Sequence, residues 1–251
     1  YNLGNAFKEL DQMDEAVKSY EQALAIKPGY AEAFNNLGIA LKELGQLDTA
    51  VNSYEALLVI KPDFAEAHFN LAVTLQKLGK LDVAVKCYGK ALAIKPDFAD
   101  AHYNLGLALQ ELSQMDKAVK CYKKAVAIKP NYAEAHNNLG IALMVLGQHN
   151  DAIKCYEKAL TIKPDFAEVH SNLGLTLQEL GQMDKAVKSY EQALAIKPDF
   201  AEAYRNRGNV LLGLKRLDES LASYKSATAL DPDLDFILGN SLHIKMHLCL
   251  W

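Results

Sequence analysis

The chain has 251 residues, of which half are hydrophobic, and a formal net charge of -4 with a pI near 6.0. An acidic chain has no basic field to gather phosphates, which argues against nucleic acids and anionic membranes as partners. No run of about eighteen apolar residues predicts a membrane span, and the opening YNLGNAFKEL does not resemble a targeting signal. The chain begins inside a predicted helix and without Met, which indicates a fragment of a longer protein.

A period of 34 residues runs through the chain, and all seven prolines follow it. They are Pro28, Pro62, Pro96, Pro130, Pro164, Pro198 and Pro232. The resulting frame has an incomplete repeat 1 that ends at residue 30, followed by repeats 2 to 7 at 31–64, 65–98, 99–132, 133–166, 167–200 and 201–234. Such a period indicates an elongated array in which each repeat buries its apolar face against its neighbours.

Each repeat predicts two helices, as repeat 2 illustrates. Apolar residues three and four apart predict a first helix over 31–44. A second helix is predicted over 49–60, where Lys61 before Pro62 ends it. Asp48 is a candidate cap for that helix. Its equivalents are Asp14, Asp82, Asp116, Asn150, Asp184 and Asp218.

This unit resembles the tetratricopeptide repeat. The signature residues in repeat 2 are Phe34, Leu37, Gly38, Leu41, Gly45, Ala50, Tyr54 and Pro62. The resemblance covers residues 1–234, with Ala72, Ser113 and Ser220 as departures from the pattern. It implies an all-α tetratricopeptide-repeat solenoid, a right-handed superhelix of helix-turn-helix units whose first helices line a concave groove. Gly38 and Ala50 are expected to allow the two helices to approach closely.

A column of asparagines is the first candidate for peptide binding. Its members are Asn36, Asn70, Asn104, Asn138, Asn172 and Asn206, and Asn2 and Asn240 keep the spacing. At 100° per residue this position lies about 120° from the core stripe, at the border of the groove. A carboxamide both donates and accepts hydrogen bonds, so the column could hold a peptide backbone without reading its side chains. The alternative is that these asparagines serve packing.

An apolar row on the same helices is the second candidate. It comprises Ile39, Val73, Leu107, Ile141 and Leu175, and Phe69, Tyr103, Met144 and Val145 widen it. Exposed contiguous apolar surface usually marks a contact site, although packing between adjacent first helices is the alternative. An acidic column is predicted near the groove and favours neutral to basic ligands over acidic chaperone tails. It comprises Glu32, Glu66, Asp100, Glu134, Glu168 and Glu202.

The sequence offers no catalytic residues, no metal site and no cofactor motif. The histidines His68, His102, His136 and His170 occupy a position that is large and often aromatic in the family, so we expect them to pack. His243, His247 and Cys249 lack the glutamate of a catalytic zinc motif. Cys87, Cys121 and Cys155 lie too far apart for disulfides, and free thiols predict a reducing, cytoplasmic location.

Residues 235–251, DFILGNSLHIKMHLCLW, predict a helix of a truncated eighth repeat or a junction. The segment is similar to the junction that precedes the catalytic domain in bacterial relatives of O-linked N-acetylglucosamine transferases. The resemblance implies that the array recruits protein substrates for an attached glycosyltransferase. An assembly scaffold or adaptor without a linked enzyme is the alternative, with possible end-to-end self-association through uncapped termini.

Overall fold

The computed structural model describes residues 1–233, and all regular secondary structure in this part of the chain is α-helical. The helices are α1 Asn2–Glu9, α2 Met13–Ile26, α3 Ala31–Glu43, α4 Leu47–Ile60, α5 Ala65–Lys77, α6 Leu81–Ile94, α7 Ala99–Glu111, α8 Met115–Ile128, α9 Ala133–Val145, α10 His149–Ile162, α11 Ala167–Glu179, α12 Met183–Ile196, α13 Ala201–Gly213 and α14 Leu217–Leu230. The odd-numbered helices are the first helices of the repeats and the even-numbered helices are the second. The predicted helix over 235–251, with Asn240, His243, His247 and Cys249, lies outside the described residues.

The predicted aspartate caps are wrong. The second helix of repeat 2 begins at Leu47, its N-cap is Gln46, and it has no side-chain cap hydrogen bond. The turn before it explains the earlier start, because Gly45 has φ +75° and lets the Gln46 N–H bond to the Leu41 carbonyl at 2.9 Å. Asp48 therefore lies in the first turn, where a negative charge is still favourable to the helix dipole.

Proline ends the second helices as predicted. Helix α4 stops at Ile60, and Lys61, with φ -129°, has left helical geometry ahead of Pro62. The equivalent lysines end α2, α6, α8, α10 and α12 in the same way.

A glycine and a tyrosine fix the distance between the two helices of a repeat. Tyr54 is fully buried, and a Cβ added to Gly38 would lie 2.7 Å from its ring. Glycines at the same position in five other repeats meet their tyrosine at 2.5 to 2.9 Å. The predicted role of Gly38 in close approach is confirmed, and repeat 3 accommodates the buried Ala72 in its place.

The chain divides into an N-terminal half, residues 1–130, and a C-terminal half that begins at residue 131. In the N-terminal half α3 contacts α5, and α5 contacts α7; in the C-terminal half α9 contacts α11, and α11 contacts α13. Second helices pack against the first helix of their own repeat, and helices α2, α4, α6, α10 and α12 also pack against the first helix of the next. Within residues 1–233, no helix is both long enough and apolar enough to cross a membrane.

Candidate functional site

The first helices of each half lie side by side and present a common surface, here called the first-helix face. It is formed by α3, α5 and α7 in the N-terminal half and by α9, α11 and α13 in the C-terminal half. The six predicted asparagines from Asn36 to Asn206 all lie half-buried on these helices. Half-burial fits a position at the border of the core stripe.

Several of these asparagines already use their amide hydrogens within the protein. Asn36 Nδ2 donates to Asn5 Oδ1 at 3.0 Å, and Asn104 Nδ2 donates to the Asp100 carbonyl at 2.8 Å. In the C-terminal half Asn172 Nδ2 donates to Asn137 Oδ1, also at 3.0 Å. Several asparagines of the column are therefore held by hydrogen bonds within the protein, which agrees with the alternative that these asparagines serve packing.

Asn70 differs from these neighbours. Its side chain is half-buried on α5, and no hydrogen bond of its amide is found within residues 1–233. Asn206 shares this property in the C-terminal half, whereas Asn138 Oδ1 accepts from Asn137 Nδ2 at 3.1 Å. Asn70 thus keeps both its donor and its acceptor available on the first-helix face.

The predicted apolar row is half-buried throughout and is not fully exposed. Its five members from Ile39 to Leu175 share this intermediate exposure. Ile39 and Val73 also pack against the buried cluster of the N-terminal half. The row is therefore not the fully exposed apolar surface that the first interpretation expected, and packing accounts for part of it. Val145 is the exception, with 55 % of its surface exposed.

The aromatic residues of this surface are held by other rings. Phe69 is half-buried, and its ring centroid lies 4.8 Å from that of Phe98 and 6.0 Å from that of Tyr88. In repeat 4 the ring centroid of Tyr103 lies 6.0 Å from that of Tyr122. These contacts fix the exposed edges of Phe69 and Tyr103, so the surface they offer is rigid.

Lysines of the proline turns neutralise much of the acidic column. Lys61 Nζ lies 2.6 Å from Glu32 Oε1, and Lys95 Nζ lies 3.1 Å from Glu66 Oε1. Lys197 and Glu168 repeat the pair at 3.3 Å. The Lys61 ammonium also holds the pKa of the Glu32 carboxyl below its usual range. Glu32, Glu66 and Glu168 are thus each paired with a lysine of their own repeat, so half of the predicted acidic column does not present free negative charge.

The histidines pack as predicted, and their Nε2 atoms contact the proline carbonyl of the preceding turn. His68 Nε2 lies 2.9 Å from the Pro62 carbonyl, and His102 Nε2 lies 3.0 Å from the Pro96 carbonyl. Burial lowers the pKa of His102. Cys87, Cys121 and Cys155 form no disulfide within residues 1–233, and burial raises the pKa of the first two. No group of three His, Cys, Asp or Glu side chains suited to a metal occurs among the described residues.

A pair of cavities on the opposite side of the repeats was missed by sequence reasoning. Notch 1 lies between α4 and α6 above α5 and has a volume of about 650 Å³. Notch 2 lies between α6 and α8 above α7 and has a volume of about 290 Å³. The sequence contained one signal for these cavities, because repeats 3 to 5 each carry both a histidine and a cysteine at the lining positions. The pairs are His68 with Cys87, His102 with Cys121 and His136 with Cys155.

Comparison with known proteins places the repeat in a family. Models of the tetratricopeptide repeat match residues 99–132, 131–199 and 171–235. A model described as TPR repeat matches residues 4–45, 40–79 and 75–113. Together these matches extend from residue 4 to residue 235, which includes every repeat of the frame. None of the curated protein sequences compared with the chain matches it.

Solved structures show the same fold. The crystal structure of MamA is 27% identical over 66% of this chain and 97% of its own, with a TM-score of 0.63. YrrB, a TPR protein described as having an unusual peptide-binding site, is 21% identical over 78% of this chain and 99% of its own, with a TM-score of 0.66. Part of a TPR repeat-containing protein from Cytophaga hutchinsonii is 16% identical over 94% of this chain and 97% of its own, with a TM-score of 0.77.

The repeat frame, the glycine-tyrosine contact and the family-model matches agree with one another along the chain. The all-α solenoid fold is shared with the solved structures. The chain therefore belongs to the tetratricopeptide repeat family, whose members mediate protein–protein interactions.

Proposed function

We propose that the first-helix face of the N-terminal half binds an extended peptide segment of a partner protein. The observation that carries this proposal is the uncommitted amide of Asn70, which lies beside Phe69 and one helical turn from Val73. A carboxamide can donate to a peptide carbonyl and accept from a peptide N–H at the same time. The flanking apolar groups supply contact area, so binding tolerates many peptide sequences.

The charge of the face supports a neutral ligand. Lys61 and Lys95 neutralise Glu32 and Glu66, and Phe69 and Val73 beside Asn70 are uncharged. Exposed ion pairs of this kind contribute little binding energy and are screened by salt. The proposed ligand is therefore neutral, or mildly basic, and affinity should change little with ionic strength. The peptide-binding site attributed to YrrB, a protein of the same fold, supports peptide binding in general terms.

The experiment compares Asn70→Ala with Asn104→Ala. Binding of fluorescein-labelled, neutral, proline-poor peptides is measured by fluorescence anisotropy. Asn70→Ala should weaken binding about tenfold, because it removes two hydrogen bonds to the peptide backbone. Asn104→Ala is the matched control, since the Asn104 amide already donates to the Asp100 carbonyl.

Circular dichroism of both variants should match the unsubstituted protein, because neither side chain lies in the fully buried core. Unchanged affinity in Asn70→Ala would remove this amide from the mechanism. Equal losses in both variants would show that the column acts through packing.

A link to glycosyl transfer is the finer part of this proposal. It is supported by the asparagine column and by the similarity of residues 235–251 to the junction found in bacterial relatives of O-linked N-acetylglucosamine transferases. In that case the bound peptide belongs to a protein whose Ser or Thr hydroxyl receives a sugar. The coding sequence that surrounds this chain tests the link. A nucleotide-sugar transferase domain after residue 251 supports it, whereas a different neighbouring sequence favours an adaptor or scaffold.

A further inference from the structure

The two notches on the second-helix side of the N-terminal half are chemically equivalent. Each is walled by the second helices of adjacent repeats and floored by the first helix between them. The shared lining residues lie 34 positions apart: Leu58 and Leu92, Pro62 and Pro96, His68 and His102, Leu71 and Leu105, Cys87 and Cys121, Lys90 and Lys124. Two apolar sites of the same design therefore stand one repeat apart on this surface.

The histidine in each notch has an unused hydrogen-bond acceptor. His68 is 7% exposed and His102 is 5% exposed. A carbonyl oxygen only accepts hydrogen bonds, so the Nε2 atom that faces the proline carbonyl must carry the proton. Nδ1 is then a bare acceptor, and in both rings it is buried without a partner among residues 1–233. A buried acceptor without a partner is unfavourable.

Gly89 lies on the ridge of α6 that separates the two notches. It is exposed in the interior of the helix, where glycine destabilises relative to alanine. A Cβ added at Gly89 would meet nothing within 4 Å, and its φ is not positive, so the fold itself does not require glycine there. The equivalent residues are all long and charged: Glu21, Glu55, Lys123, Glu157, Glu191 and Lys225.

The rim of notch 1 carries two apolar residues that are unusual for their positions. Val59 is 84% exposed and Val83 is 47% exposed. The residues equivalent to Val83 in repeats 2 and 4 are Thr49 and Lys117. Exposed apolar side chains around an apolar cavity usually mark a contact site.

Charge changes sign across this surface. Helix α4 carries two acidic residues, Asp48 and Glu55, and no basic residue. Helix α8 carries one aspartate and four lysines, of which Lys120 and Lys124 line notch 2. A partner that spans both notches should therefore be acidic at the end above α8 and neutral or basic at the end above α4.

We propose that an amphipathic helix of a partner protein crosses α6 at Gly89 and places two apolar anchors, seven residues apart, in notch 1 and notch 2. Seven helical residues rise about 10.5 Å and make almost two full turns, so both anchors lie on one face of the partner helix. Tryptophan suits both anchors, because its large ring fills an apolar cavity. Gly89 lets the partner backbone approach the ridge, as small residues do where helices cross.

The test uses a synthetic alanine- and glutamine-based helical peptide with two tryptophans seven residues apart, glutamates at one end and a fluorescein label. Anisotropy should show saturable binding. A peptide of the same composition with its tryptophans five residues apart places them on different faces and should bind at least tenfold more weakly. Asn70→Ala lies on the first-helix face and should leave binding of this probe unchanged.

Gly89→Glu gives the sharpest variant. It installs the residue found at this position in repeats 1, 2, 5 and 6, so it should raise the midpoint of thermal unfolding. Because the larger side chain keeps the partner backbone away from the ridge, the affinity for the probe should fall at least tenfold. Lys225→Glu, which places a glutamate at the same repeat position in the C-terminal half, is the control and should leave affinity unchanged.

Alkylation of the thiols gives an independent readout. Bound probe should slow the reaction of Cys87 and Cys121, which line the notches, and should leave Cys155 in the C-terminal half unaffected. Undiminished binding in Gly89→Glu, equal binding of the two peptides, or protection of all three thiols to the same degree would each overturn the proposal.

Discussion

Side chains at the turn between the two helices show how a single residue sets local stability. Most repeats place glycine there, with φ between +70° and +75° at Gly45, Gly79, Gly147 and Gly181. Ser113 occupies the same position in repeat 4 with φ +58°. The next residue still closes the turn, since the Gln114 N–H bonds to the Leu109 carbonyl at 2.8 Å. Repeat 4 therefore keeps the hydrogen bond but holds an L side chain in the left-handed region.

Ser113→Gly should raise the free energy of unfolding by about 1 kcal/mol, because glycine adopts the left-handed conformation without the steric cost that serine bears. Urea denaturation followed by circular dichroism measures the change. Gly147→Ser is the reciprocal control and should lower stability by a similar amount. A loss of stability in Ser113→Gly would show that the serine hydroxyl makes a compensating contact.

At the scale of helix pairs, the buried tyrosines require an acceptor for their hydroxyl groups. In repeats 3 and 4 the acceptor comes from the last turns of the first helix, where Tyr88 donates to Gln76 at 2.9 Å and Tyr122 donates to Gln110 at 3.0 Å. Tyr20 and Tyr224 use Asn5 and Asn209 instead. Repeats 2 and 5 carry Lys42 and Met144 in place of the glutamine, and within residues 1–233 the buried hydroxyls of Tyr54 and Tyr156 have no hydrogen-bond partner.

Gln110→Met should destabilise the protein by about 1 to 2 kcal/mol, because it leaves the Tyr122 hydroxyl buried without an acceptor. The Tyr122→Phe substitution should cost much less in the Gln110→Met background than alone, and a double-mutant cycle in urea measures that coupling. Met144→Gln is the converse change and should stabilise repeat 5 by giving Tyr156 an acceptor. Additive losses in the cycle would contradict the pairing of Tyr122 with Gln110.

Sequence periodicity could predict the helix pairs, the proline ends and the Gly38 contact because each depends on residues within one repeat. The start of α4 could not be predicted from Asp48, since it depends on how the turn at Gly45 closes. The hydrogen bonds of Asn36 and Asn172 depend on Asn5 and Asn137 in the preceding repeats, and neither partner follows from the asparagine column itself. Gly89 differs from the charged residues at the equivalent positions of the other repeats. This difference indicates a binding surface only when the notches on either side of α6 are known.

The whole molecule is an array in which each repeat is stabilised by its neighbours. Buried residues of the N-terminal half form a continuous cluster from Ala16 to Ala108, so this half has a core of its own. Stability in such arrays is approximately the sum of repeat and interface contributions. No central core has to form before a part of the array can fold.

A fragment of residues 1–130 should therefore fold on its own. Its circular dichroism per residue at 222 nm should agree with that of the whole chain to within about 10%, because the fragment keeps every contact of α1 to α7. It should also unfold cooperatively in urea, with a smaller dependence on denaturant because less surface is exposed. A fragment without helical signal would show that this half depends on the rest of the chain.

The ion pair of the proline turn has a consequence for how such a chain can change length. Glu32 pairs with Lys61, and Glu66 with Lys95, so each carboxylate and its lysine are encoded within one 34-residue segment. Tyr88 and Gln76 obey the same rule. Duplicating or deleting residues 65–98 would carry both members of the Glu66–Lys95 and Tyr88–Gln76 pairs together. A change in length by one whole repeat therefore does not separate these partners, and a duplicated 65–98 segment would also copy Gly89 and add another notch to the row.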